Sequence, residues 1–216
     1  MQPSRLLVPG ADARRGLLPC LLAALLLASA GIGTVSALDW TIETVDPTAH
    51  DSGGCTLVLD DAGTPAISYT ANGELRYAHR NGTGWEIRAV EPAVSAGSMS
   101  LALDPGGNPR IAYIHAAHND LRYAAWDGSA WRIQTVDRDG KRAPSLSLDG
   151  AGRPRVSYID EPNTTLRYAA FDGSAWRVET VDRVGPHDWG TCLALDGAGL
   201  PSIAYGGSDQ VQCAKV

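Results

Sequence analysis

Hydrophobic and polar positions alternate in short runs along this chain, and the runs return at a fixed interval. The clearest copy lies between Trp131 and Ala175. It reads W-R-I-Q-T-V-D, a loop, S-L-S-L-D-G-A-G-R-P-R-V-S-Y, a second loop, then L-R-Y-A-A-F-D-G-S-A before the next Trp. Trp40, Trp85, Trp131 and Trp176 open the copies at spacings of 45, 46 and 45 residues. A period of that length, built from short alternating segments, predicts the blades of a β-propeller.

Each copy predicts strands that we letter A to D in blade order. Strand A is T-L-V-L-D at 56–60, S-L-A-L-D at 100–104, S-L-S-L-D at 145–149 and C-L-A-L-D at 192–196. A turn D-x-x-G-x-P follows in every copy, at Asp60/Gly63/Pro65, Asp104/Gly107/Pro109, Asp149/Gly152/Pro154 and Asp196/Gly199/Pro201. There the Asp accepts backbone N–H groups, Gly supplies a positive φ, and Pro opens the next strand without interrupting a ladder. Strand B ends at Tyr69, Tyr113, Tyr158 and Tyr205, with bulky residues on one face and Ala66 and Ser68, Ala112, Ser157 or Ala204 on the other. Such a pair of faces lets the bulk of one sheet interlock with the small face of the next. Strand C is L-R-Y-A at 75–78, 121–124 and 166–169, with Val211-Gln212-Cys213-Ala214 in the last copy. Asn-Gly and Asp-Gly hairpin turns then lead to the Trp of strand D, which fills the widening wedge between blades.

Residues 40–45 form a strand D with no A, B or C before it, and 191–216 supply A, B and C with no D after them. The expected fold is therefore all-β, a β-propeller of four blades with four antiparallel strands each, closed by the N-terminal strand D completing the last blade. Closure of this kind removes exposed sheet edges. Two rival arrangements stay open, a single eight-bladed ring made by two chains and a fragment of a longer repeat array.

The repeat resembles the bacterial neuraminidase-repeat and Asp-box propellers, and more closely the secreted bacterial repeat proteins that carry S-L-A-L-D-x-x-G-x-P-x-I-x-Y and D-G-S-x-W. The likeness runs from Trp40 to the C-terminus. It departs from the strict Asp box, because Asp127 and Asp172 stand four residues before Trp131 and Trp176 where the box has five. The resemblance implies a sialidase-like propeller fold more than a sialidase activity. Tryptophan-rich propeller lectins are similar at the same D-G-S-x-W turn, which implies sugar binding.

Met1 to Ala37 reads as targeting sequence. Arg5, Arg14 and Arg15 make a basic start, Leu17 to Ala37 carries no charge, and Val35 and Ala37 suit a signal-peptidase site. The uncharged run is long enough to span a bilayer, so an uncleaved anchor is the alternative. The domain 38–216 is then expected to be secreted, periplasmic or at the cell surface. Without that segment the chain has 15 Lys and Arg against 23 Asp and Glu, and no basic cluster. Nucleic acid and anionic membrane surfaces are thereby excluded as partners. The scarcity of Lys, found only at 141 and 215, points to a GC-rich bacterial source.

The D-to-A loops (46–54, 91–97, 137–143, 182–190) and B-to-C loops (71–74, 115–120, 160–164, 206–210) vary between copies, whereas the other turns are uniform. Antiparallel strands bring both variable sets to one face, where function is expected. Trp189, outside the repeated Trp positions, is the expected anchor for a sugar ring or a partner pocket. His50-Asp51 and His187-Asp188 echo each other ahead of the first and last blades and form a candidate shell for a divalent metal, with turn chemistry as the alternative reading. No other cofactor is expected. His115, His118 and Asp120 gather in one loop, and Asp160 and Asp209 add acids to the same face. His79 reads as structural.

A sialidase needs three arginines around a carboxylate and a nucleophilic Tyr beside an acid. Arg76, Arg122 and Arg167, like the four Tyr of strand B, recur at equivalent positions and so read as structural pairs, the arginines with a recurring Asp or Glu of a neighbouring strand. No catalytic residue is assigned, and no G-x-S-x-G motif is present. Beyond the signal, Cys55, Cys192 and Cys213 remain. Cys192 and Cys213 lie two strands apart, ~9.6 Å, beyond the ~7 Å reach of a disulfide. Cys55 and Cys192 start A strands that ring closure makes neighbours, so theirs is the expected bond, and Cys213, in place of a core Tyr, is the expected buried thiol. The expected function is a non-catalytic propeller binding a glycan or an extracellular protein. The alternatives are a sialidase-like glycoside hydrolase or lyase, and a structural surface module. A homodimer is allowed.

Overall fold

The computed structural model describes residues 39–216 apart from 93, 186–189 and 208–209. The first copy folds as β1 (Cys55–Leu59), β2 (Pro65–Ala71), β3 (Glu74–Arg80) and β4 (Trp85–Pro92). The second gives β5 (Val94–Leu103), β6 (Pro109–His115), β7 (Asp120–Trp126) and β8 (Trp131–Asp137). The third gives β9 (Lys141–Leu148), β10 (Pro154–Asp160), β11 (Thr165–Phe171) and β12 (Trp176–Arg183), and the last β13 (Thr191–Leu195), β14 (Pro201–Gly207) and β15 (Gln210–Lys215). Each copy is its own antiparallel meander, four-stranded in the first three and three-stranded in the last.

The turn chemistry holds wherever the repeat predicts it. Asp60, Asp104, Asp149 and Asp196 each accept the backbone N–H four residues on at 2.7–2.9 Å. Gly63, Gly107, Gly152 and Gly199 take φ of 73–81°, which an L side chain resists.

The sheets stack in chain order through their A strands, β1 against β5, β5 against β9 and β9 against β13. The packing is bulk against small. Ala102 and Ala112 of the second sheet receive Leu146, Leu148 and Val156 of the third. Val58 and Ala66 receive Leu101, Leu103 and Ile111 in the same way. Hydroxyls stitch the A strands together: Ser100 Oγ accepts Leu146 N at 3.0 Å and Ser145 Oγ accepts Leu193 N at 2.9 Å. At the rim, Trp131 meets Tyr77 of the preceding sheet edge-on at 5.9 Å, and Trp176 meets Tyr123 at 5.4 Å. These are the wedge-filling positions expected of strand D.

Residues 40–45 carry no strand, and β13–β15 is a three-stranded sheet among the described residues. What holds the end of that segment is the first sheet: Glu43 pairs with Arg80, and Asp46 with Tyr69 and Arg76. Cys55, Cys192 and Cys213 are free thiols and all exposed, so neither the Cys55–Cys192 bond nor a buried Cys213 is present. The reason is shared. Cys55 belongs to the first sheet and the other two to the last, at opposite ends of a stack whose sheets touch in sequence order.

Candidate functional site

The described parts of the variable loops lie along one rim, where backbone hydrogen bonds tie each D-to-A loop to a B-to-C loop beside it. Gly53 N donates to Thr70 O at 2.9 Å and Asn72 N to His50 O at 3.0 Å. Gly140 N donates to His118 O at 2.9 Å, while Gly140 O accepts Glu161 N at 3.0 Å, so one residue ties two blades. Val184 N donates to Thr164 O at 2.9 Å. Positive φ at Asp51, Asn72, Asn119, Asp139 and Thr164 gives this rim its tight reversals.

Beneath the rim lies a clasp that recurs at each blade junction. Every D strand ends in Val followed by an acid, and the Val of β4, β8 and β12 is an extra residue that breaks the register with strand C. Such a bulge re-aims the side chain after it. The acid thereby turns towards the Tyr of the following blade: Tyr69 Oη donates to Asp46 at 2.7 Å, Tyr158 to Asp137 at 2.7 Å, Tyr205 to Asp182 at 2.6 Å, and Tyr113 to Glu91. Arg76 binds Asp46 at 2.8 Å and Arg122 binds Glu91, the pairing expected of repeated arginines. The third blade varies the scheme. Lys141 Nζ reaches Asp160 Oδ1 at 2.9 Å and Asp137 at 3.6 Å, while Arg167 turns to Asp160 at 3.4 Å.

These contacts set the protonation states. Burial first, then the carboxylate it donates to, pushes Tyr205 up to about 12. The same two causes, in the same order, raise Tyr69, Tyr113 and Tyr158 well above the ordinary phenol range. Burial alone would raise Asp160, but Lys141, Asn163 and Arg167 outweigh it and hold the carboxyl below its usual value. Asp46 is likewise held low, by Thr48, Tyr69 and Arg76 against the cost of burial.

The sequence-predicted residues divide accordingly. His50, Asp51 and His118 are exposed on the rim. His115 is half-buried, its Nδ1 accepting Ala117 N at 3.4 Å. Asp120 and Asp160 lie beneath the rim. Asp120 is buried and accepts Asp139 N at 3.0 Å, and Asp160 is spent on Lys141, Asn163 and Arg167. Both therefore position loops. Trp189, His187, Asp188 and Asp209 lie outside the described residues, as does any meeting of the two His-Asp pairs. Among the described residues, no group of three or more His, Cys, Asp or Glu is placed to hold a metal ion. His79 sits 3.7 Å from Asp60, a turn partner as expected. Sequence reasoning missed Lys141, a buried cation in a chain with two lysines. It also missed the D-strand bulge, which appears only in the register with strand C.

A cavity opens at the other end, among the uniform turns. It measures about 450 Å³ and is lined by Leu59, Asp60, Leu103, Asp104, Leu148 and Asp149. Asp60, Asp104 and Asp149 each cap their own turn, and Asp149 also binds Arg153 and Arg155 at 2.9 and 2.8 Å, while Asp61 lines the same cavity as an exposed carboxylate.

No protein-family model matches the sequence, and no curated protein matches it significantly. Solved structures do. A GH43 β-1,3-galactosidase with galactodeoxynojirimycin aligns with a TM-score of 0.50 at 11% identity, over 78% of this chain and 72% of that one. A Hadza microbial sialidase, Hz136, aligns at 0.50 and 12% identity over 76% of this chain, and the Dos1 propeller at 0.50 and 15% over 73%. This chain spans 44% of each of those two. At such identities the likeness defines the fold: the protein is a β-propeller.

Proposed function

We propose that this chain is an exported, non-catalytic β-propeller that binds a glycan through the loop rim, with residues 1–37 directing export and 38–216 forming the domain. The observation that carries the reading is the clasp. At each junction the Tyr hydroxyl is bonded to the acid, the phenol is held protonated, and Arg76 and Arg122 are paired with those same acids. Groups so engaged suit a scaffold better than a reacting centre, which needs an activated nucleophile. Among the described residues of the variable set, His50, Asp51 and His118 are exposed, and the sequence adds Trp189 as the candidate anchor. The galactosidase and the sialidase are named for glycan substrates, which favours a glycan over a protein ligand. We read residues 40–45 as the strand D that a three-stranded sheet lacks, on the strength of their W-T-I-E-T-V repeat.

A glycan array with wild type, Trp189→Ala and His118→Ala tests the reading. Wild type is expected to retain specific glycans and Trp189→Ala to lose affinity by about tenfold or more, equivalent to ~1.4 kcal/mol. No glycan retained, or equal retention by all three proteins, contradicts it. A second reading, a glycoside hydrolase, is favoured by Tyr113, Glu91 and Arg122, which bring a Tyr, an acid and an Arg into contact. Turnover of fluorogenic sialosides that disappears in Tyr113→Phe would establish it in place of the first.

A further inference from the structure

Between the first and second blades, one cavity gathers residues that break the repeat. It measures about 120 Å³, lies near the uniform turns and away from the variable loops, and is lined by Tyr77, His79, Glu86, Arg88, Asn108 and Trp126. One blade on, the counterparts of the last five are Ala125, Arg132, Gln134, Arg153 and Phe171. Strands C and D pair in the same register in both blades, Arg80 with Trp85 as Trp126 with Trp131. The frame is therefore shared, and the lining is particular to this junction.

The changed lining leaves polar atoms unspent. At the second junction Gln134 Oε1 accepts Trp176 Nε1 at 2.9 Å. Arg88 in that place can only donate, so Trp131 Nε1 is buried without a partner among the described residues. Arg88 turns instead to Glu86, at 3.0 Å through Nε and 2.6 Å through Nη2, and sets its guanidinium 4.5 Å from the centre of the Trp126 ring. Asn108 gives Nδ2 to Asp104 at 3.3 Å and keeps Oδ1 as an acceptor. Tyr77 is only 3% exposed and lines the cavity, and its hydroxyl makes no hydrogen bond among the described residues. Burial pushes that hydroxyl up to about 12, so it keeps its proton and can donate. A polar group so deeply buried calls for a partner.

The charges around the cavity pair with one another, Glu86 with Arg88, and His79 stands 3.7 Å from Asp60. A charged ligand gains little there. A neutral ligand with several hydroxyls can accept from Tyr77 and Arg88 and donate to Glu86 and Asn108, with an apolar face against Trp126. A volume of about 120 Å³, well below the ~300 Å³ at which drug-sized pockets begin, admits one ring and not a chain. We infer that this junction is a second binding site, separate from the loop rim, which takes the neutral terminal sugar of a glycan. The choice of a sugar rests on the glycan-binding reading above. The site shares no residue with the rim, so the two can fail separately.

Saturation-transfer NMR titrations with the methyl glycosides of galactose, glucose and mannose, and with a methyl sialoside as the charged counterpart, are the test. Wild type is expected to bind at least one neutral glycoside and to bind the sialoside more weakly. Tyr77→Phe removes only the hydroxyl and is expected to lower that affinity about threefold to tenfold. A variant with Glu86→Arg, Arg88→Gln, Asn108→Arg and Trp126→Phe rebuilds the junction with the side chains of the next one. It is expected to stay folded by circular dichroism and to lose the signal. Trp189→Ala is expected to leave the signal unchanged. No response to any neutral glycoside, or a sialoside bound as tightly, overturns the inference. So does a response that is unchanged in Tyr77→Phe or in the folded rebuilt variant, or one that disappears in Trp189→Ala. Glycans retained on the array with no response here would leave the proposed function standing and remove this site.

Discussion

A Tyr hydroxyl given to a carboxylate is the residue-scale device that holds one blade to the next. Its strength follows from the charge on the acceptor, since hydrogen bonds to charged groups contribute about 1.5–3 kcal/mol net. Tyr158 is fully buried and donates to Asp137 at 2.7 Å. Tyr158→Phe is therefore expected to lower unfolding stability by about 1.5–3 kcal/mol in urea titrations, and a loss under ~0.5 kcal/mol would remove the clasp as a stabilising element. The clasps also shape the pH profile. Each phenol has a folded pKa above its unfolded ~10, so its share of stability is complete below that pH. It is lost as pH rises towards the folded value, about 12 for Tyr205. Asp46, Asp160 and Asp182 are depressed. Their share is complete above the unfolded carboxylate value of ~3.9 and is lost as pH falls through the lower folded values. Tyr158→Phe should accordingly flatten the alkaline limb and leave the acid limb in place.

At the scale of elements, the loops are fixed by backbone geometry more than by side-chain chemistry. Gly140 shows why. It has φ of 69°, ties His118 to Glu161 through its N–H and carbonyl, and leaves no room for a Cβ, which would lie 2.5 Å from two ring carbons of Pro162. Gly140→Ala is expected to cost about 1–3 kcal/mol. It should also raise amide exchange in 116–120 and 160–164, and unchanged exchange there would show that the rim does not depend on this residue. The strands, hairpin turns and alternating faces were legible in the sequence, because period-2 alternation and D-x-x-G-x-P are local signals. The bulge before each acid was not, since an extra residue shows only against a partner strand. Nor was the fate of Asp120 and Asp160: a loop acid looks the same in sequence whether it faces solvent or a buried Lys141.

For the whole molecule, the repeat foretold how sheets stack but not how the stack ends. Copy-to-copy identity specifies a blade junction three times over, whereas closure depends on the cumulative rotation between sheets, which no single repeat encodes. That is why the expected Cys55–Cys192 bond failed while the interlocking of Ala112 with Leu146 and Val156 held. The same separation divides scaffold from site. The uniform turns line a cavity in which Asp60, Asp104 and Asp149 are spent on capping, and the variable loops present the unengaged side chains of His50, Asp51 and His118 on a fixed rim. Hydrogen–deuterium exchange with and without the strongest glycan from the array tests that division most directly. Protection is predicted in 50–54, 71–74, 116–120 and 138–143. Protection confined to the turns at 60–64, 104–108 and 149–153 would place the ligand in the opposite cavity and contradict the account.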